Sequence, residues 1–296
     1  MSKLIPSLDC QTKKISGTEI EITGEISVGD FDNYYQKVFQ EISENAEIPG
    51  FRKGQTPANI IKERVGEHYI LEKAAEAAIN ETWPKILEEK IEQGLEIIGR
   101  PQIAITKLAK NNPLGFKIII SILPKIKLGD YKKISREIMK EETKIIAEDK
   151  EIDKMKERDR KRIESLDKIA EASTIEIPEI LVEAEKEKMI LELKAGIENT
   201  GMKWEDYLKH IKKTEEELKK DWSDNALKRV KHGLILRAVA NKENIRVFEQ
   251  EISQKIEQML KAVPLEEAKK LDQNRLKDYA YGIIRNEKTF QILENV

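Results

Sequence analysis

From Asp130 to Ala195 the chain has no glycine, and from Lys132 to Lys203 it has no aromatic residue. Such a stretch, dense in Glu, Lys, Arg, Ile and Leu, favours helix by intrinsic propensity, because straight-chain residues lose little rotamer freedom there. The run from about Glu148 to Ala172 reads as one helix of roughly 35–40 Å at 1.5 Å per residue. Pro178 starts another, with Ile177 held extended before it. Further on, Leu227, Val230, Leu234, Ile235 and Ala238 form an apolar stripe. So do Ile252, Ile256, Met259, Leu260 and Val263, and then Leu276, Tyr279 and Ile283. Each stripe leaves a charged opposite face, the mark of an amphipathic helix. No internal repeat of fixed period appears, and the second half is expected to be all-helical.

The first 130 residues read differently. "TEIEITGEIS" alternates Ile20, Ile22 and Ile26 with charged or small neighbours, the period-2 pattern of a half-buried strand. "DFDNYYQKVFQEIS" predicts a helix capped by Asp30. Thr56 as cap and Pro57 in the first turn predict a short helix through Arg64, and Gly66 separates it from a longer one, Glu67 to Gln93. "PQIAITKL" puts Ile103 and Ile105 on one face of a strand. "GFKIIISIL" puts Phe116, Ile118, Ile120 and Ile122 on one face of another, joined by the turn "NNPLG". The expected architecture is an α+β domain with a small antiparallel sheet over residues 1–130, a helical linker over 131–172, and an elongated all-α domain over 173–296.

Composition excludes several function classes. With 53 basic and 55 acidic residues the formal charge is −2, so nucleic-acid contact would have to be local. Cys10, in an N-terminus expected to be loose, is the sole cysteine and rules out a disulfide framework. His68, His210 and His232 lie in separate segments without metal-ligand spacing and read as solvent-facing helix residues. No phosphate-cradling glycine loop precedes a helix. "MSKLIPSLDC" lacks the apolar core of a secretory leader, and "IIISIL" is too short to span a bilayer. A cytoplasmic protein that is not an enzyme, with no cofactor, no metal and no membrane contact, is expected.

One loop stands apart. "EIPGFRKGQTP" sets Phe51, Arg52 and Lys53 between Gly50 and Gly54. The residues alone leave two readings open: Phe51 turns inward as a plug while the cations face water, or all three are presented together for docking. "GFRKGQTP" keeps every fixed element of G-F-R-x-G-x-x-P, and so resembles the ribosome-docking signature of the bacterial trigger factor family. "PEILVEAEKEKMILELK" and "LKRVKHGLILRAVANKENI" resemble helices of that family's C-terminal domain. The resemblance implies an ATP-independent chaperone that sits on the large ribosomal subunit near the exit tunnel, against protein and rRNA, and shields nascent or unfolded polypeptides. It places the ribosome contact on Phe51, Arg52 and Lys53, flanked by Gly50 and Gly54.

The sequence departs from the family in one respect. Family members usually carry a peptidyl-prolyl isomerase domain of the FK506-binding type between these two parts, with an aromatic-lined pocket. Here the corresponding segment has neither aromatic nor glycine, so the module is expected to be absent. Isomerase activity as in longer members, and a helical scaffold unrelated to translation, are the competing readings. Met155, Met189, Met202 and Met259 are candidate client contacts, although no single client-binding residue is assigned. A homodimer of the free protein stays open.

Overall fold

The structure, a computed structural model, describes residues 9–140, 150–261 and 271–296. The chain divides into two compact units, Met1–Pro124 and Lys125–Val296. The first contains β1 (Asp9–Lys14), β2 (Glu19–Ile26), α1 (Val28–Asn45), α2 (Ala58–Val65), α3 (Glu67–Glu92), β3 (Ile97–Lys107) and β4 (Leu114–Ile122). Its strands form one sheet in the order β1-β2-β4-β3, antiparallel throughout.

The period-2 pattern of β2 and β4 sets the register. Ile20 opposes Ile120, Ile22 opposes Ile118, and Ile26 opposes Leu114. These side chains and Phe116 are buried beneath Phe31, Tyr35 and Val38 of α1 and Ile70, Ala74, Ala75 and Ala78 of α3. Each fully buried isoleucine contributes roughly 1.5–3 kcal/mol relative to exposure. The run of small residues on α3 lets that helix lie close to α1, against which it packs.

Local details correct several expectations. Residues Asp9–Lys14 form an edge strand, so Cys10 is half-buried against the core and not in a loose tail. Helix α1 is capped by Ser27, whose hydroxyl oxygen accepts from the Asp30 amide at 3.2 Å and whose O–H donates to the Asp30 carboxylate at 2.7 Å. Asp30 therefore lies inside the first turn. Helix α2 begins at Ala58 with Pro57 as its cap residue, and the Thr56 hydroxyl is buried without a hydrogen-bond partner among the described residues. Ile103 and Ile105 share a face as expected, yet both are exposed.

The second unit is helical: α4 (Tyr131–Lys140), α5 (Lys150–Glu171), α6 (Glu179–Asn199), α7 (Trp204–Ile211), α8 (Glu215–Asp221), α9 (Ser223–Lys242), α10 (Glu249–Lys261) and α11 (Gln273–Glu294). The start of the helix expected from Glu148, and Val263, lie outside the described residues. Tyr131, Leu166 and Ile169 share a core with Ile235, Leu236 and Val239 of α9 and Leu293 of α11. Helices α4 and α5 are thus built into the second unit, where a linker was expected over 131–172, because one face of each is apolar and finds α9 and α11 to cover it.

Polar contacts reinforce the same seams. Arg162 on α5 donates to Glu287 at 2.8 and 3.0 Å and to Glu294 at 2.5 Å, both on α11. Its guanidinium lies 4.7 Å from the Phe290 ring centroid. His232 on α9 is half-buried 2.8 Å from Asp167 of α5, so it is not the solvent-facing residue expected. The Tyr131 phenol donates to Glu243 at 2.5 Å, and burial together with that carboxylate pushes the phenol up to about 12. On α11 the buried stripe runs through Leu276, Ala280, Thr289 and Leu293; Tyr279 is exposed.

Candidate functional site

Helix α1 ends where the Ala46 amide donates to the Ile42 carbonyl. The chain then crosses to α2 through two tandem turns. The Phe51 amide donates to the Ile48 carbonyl at 3.1 Å, and the Gln55 amide to the Arg52 carbonyl at 2.9 Å. Pro49 and Gly50 occupy the middle of the first turn, Lys53 and Gly54 the middle of the second. Gly50 has φ 90° and Gly54 φ 76°. An i-to-i+3 bond with positive φ at the third residue is the type II pattern, in which only glycine sits without strain. The two glycines therefore set the corners of the loop, and the residues between them form the tip.

At that tip Phe51 is 42% exposed and lies outside the core of the first unit. The inward-plug reading of Phe51 does not hold. Arg52 and Lys53 are exposed as well, and neither makes an ion pair with a described residue. Three unspent groups result: an apolar ring, a guanidinium able to grip a carboxylate or phosphate with two parallel bonds, and a mobile ammonium.

The base of the loop is fixed. Ile61 of α2 is buried, and Lys62 holds its ammonium 5.3 Å over the Phe39 ring of α1. Lys110, in the β3–β4 turn, pairs with Glu67 at 2.9 Å, and Tyr35 donates to the same carboxylate at 3.4 Å. The Lys110 hydrogen bond holds the Glu67 carboxyl below the usual carboxylate range, while burial and then Glu67 raise the Tyr35 phenol. Helices tied to the core of the first unit thus carry an exposed tip.

The remaining candidates are scattered. His68 pairs with Glu72 at 3.2 Å on the surface of α3, and His210 is exposed on α7. Met155 and Met202 are exposed, whereas Met189 and Met259 are half-buried. Among the described residues no group of His, Cys, Asp and Glu is placed to hold a metal ion, and no helix is long and apolar enough to cross a membrane. Sequence reasoning missed Pro49, whose fixed φ preforms the first turn; a P-G pair is a standing type II cue.

Fold and loop together define a class: a small α+β unit that holds out an aromatic and basic tip, followed by a helical unit. The family model of the bacterial trigger factor protein matches residues 8–158, and that of its C-terminus matches residues 134–294. The chain belongs to the trigger factor family. It is similar to the trigger factor of Carboxydothermus hydrogenoformans, with 23% identity over 94% of this chain and 97% of that protein. That alignment runs over 416 positions, more than the 296 residues of this chain. The trigger factor of Lactiplantibacillus plantarum is 32% identical over 46% of this chain and 30% of its own length. A solved structure of the trigger factor chaperone superposes with a TM-score of 0.61 at 14% identity, covering 96% of this chain and 99% of that one.

Proposed function

We propose that this chain is an ATP-independent cytoplasmic chaperone that docks on the large ribosomal subunit near the exit tunnel and shields nascent polypeptides. The observation that carries the docking half is the loop tip: tandem turns with corners at Gly50 and Gly54 hold Phe51, Arg52 and Lys53 out together. A surface of mixed protein and RNA calls for such a combination, since phosphates and carboxylates suit the cations and an apolar crevice suits the ring. Adding a Cβ at the corners forces a conformation that L side chains resist, at about 1–2 kcal/mol per site. Gly50→Ala/Gly54→Ala is therefore expected to re-form the loop and weaken ribosome pelleting about tenfold, with the thermal melt of the first unit little changed. Unaltered pelleting would count against the corner role.

The chain acts without prolyl isomerase activity in this reading. Support comes from the two family-model matches, which overlap across 134–158 and leave no stretch of chain between them. Purified protein is expected to suppress aggregation of a chemically denatured client on dilution, without added nucleotide. In a proline-peptide assay it should leave isomerisation at the uncatalysed rate. Catalysis there would restore the enzyme reading; aggregation at the client's own rate would favour a scaffold role.

A further inference from the structure

The sheet of the first unit ends on one side at β3, which pairs with β4 alone. Residues 102–107 are all exposed. The register shows which face the two isoleucines occupy. Ile103 stands opposite Ile118 and Ile105 opposite Phe116, and both of those partners are buried. Directly opposed residues of an antiparallel pair project to the same face. Ile103 and Ile105 therefore lie on the core side of the sheet, yet are 41% and 40% exposed. The helical layer of α1 and α3 stops short of β3 and leaves an apolar shelf beside an open edge.

That edge has backbone groups to offer. Among the described residues, 102–107 make no backbone hydrogen bond outside the β3–β4 ladder. Alternate N–H and C=O groups of an edge strand point away from its one neighbour. Proteins commonly blunt such an edge with proline, charge or a β-bulge. Here Pro101, Lys107 and two register shifts, between Ile98 and Gln102 and between Ile105 and Lys107, stand at the two ends, and Gln102, Ile103, Ala104 and Ile105 between them carry none of these.

We propose that this window takes up an extended polypeptide segment by strand addition, pairing its backbone with β3 and laying alternate apolar side chains over Ile103 and Ile105. The inference rests on the chaperone reading and names how such a chain holds a client. The length of the window selects an unfolded segment over a second copy. Regular pairing runs only over Gln102–Ile105, between register shifts at Ile98/Gln102 and Ile105/Lys107, and so short a seam buries far less than the roughly 1,000 Å² that a stable interface between two copies needs. An unfolded segment needs only a weak hold and has its own backbone groups unpaired. Backbone pairing makes the site tolerant of sequence, while the shelf favours alternating apolar residues.

The test uses the full chain and a fluorescein-labelled peptide of alternating valine and threonine, with lysine at each end for solubility, read by fluorescence anisotropy. Two analogues are N-methylated, one at every valine and one at every threonine. Strand addition predicts that one analogue loses about tenfold or more in affinity, having lost the amides that face β3, and that the other binds like the parent. Ile103→Lys/Ile105→Lys is expected to weaken the parent peptide similarly while keeping the wild-type melt, because both side chains are already exposed. Absence of parent binding, equal binding of all three peptides, or wild-type affinity in the double variant would overturn the proposal. Client aggregation, followed in parallel, separates the two readings. Protection with equal binding of all three peptides discards strand addition alone; loss of protection by the wild type removes the chaperone reading with it.

Discussion

Replacing Arg162 by alanine is expected to lower the stability of the second unit by about 2–4 kcal/mol. The side chain is 10% exposed and satisfies two carboxylates of α11 at once, Glu287 through a two-bond fork and Glu294 through Nε. Its truncation removes the one guanidinium hydrogen-bonded to both carboxylates, leaving Glu287 only the weaker fields of Arg158 and Lys255, and strips the contact from Phe290. Breaking a buried pair from one side costs about 3–5 kcal/mol. Glu287 is 45% exposed, so water recovers part of the loss and the lower range applies. Arg162→Lys should fall between, since an ammonium restores charge without the planar fork. Hydrogen exchange resolved to α5 and α11 checks this directly: amides there should open at lower free energy, while β2 and β4 keep wild-type protection.

The same contact fixes a pH dependence. The Arg162 hydrogen bond, opposed by burial, holds the Glu287 carboxyl below its ordinary 4.5. A depressed carboxyl contributes stability above its unfolded value and loses it as pH falls through the folded one. The α5–α11 seam should therefore weaken in acid below about pH 4.5, and Arg162→Ala should flatten that slope.

Much of the first unit could be read from its residues because β2 and β4 alternate cleanly, one face being packed and the other wet. β1 escaped notice for the converse reason. "DCQTKK" has no apolar alternation, and it is a strand because β2 offers a backbone edge, with Cys10 set opposite Gly24. The cap of α1 was visible as S-x-x-D in "SVGD", a capping pattern that points to Ser27 ahead of Asp30. The exposure of Ile103 and Ile105 could not be read locally, since it depends on where the helical layer ends. The spacing from Leu276 sets Tyr279 and Ala280 on adjoining positions of the helix, and it is Ala280 that takes the packed one, leaving Tyr279 exposed. His232 likewise became half-buried through Asp167, 65 positions away in sequence. The loop was legible in part. Its glycines are local turn signals, as is the P-G pair that went unread, whereas the exposure of Phe51 depends on what the core leaves uncovered, so the residues alone kept both readings open.

That loop carries the central claim, and its second large effect is loss of docking. The triplet divides the contact into a charged share, which salt screens over about 10 Å at 0.1 M, and an apolar share from Phe51, which it does not. Removing both should abolish binding, whereas raising salt alone should weaken it only in part. The fold should be indifferent, because none of the three side chains belongs to the core. The deciding measurement is co-sedimentation with ribosomes at low and moderate salt, comparing the wild type with Phe51→Ala/Arg52→Ala/Lys53→Ala. The account predicts that the wild type pellets, partly released by salt, and that the triple variant stays in the supernatant with an unchanged melt. If the two chains pellet alike, or neither pellets, the loop is not the docking tip.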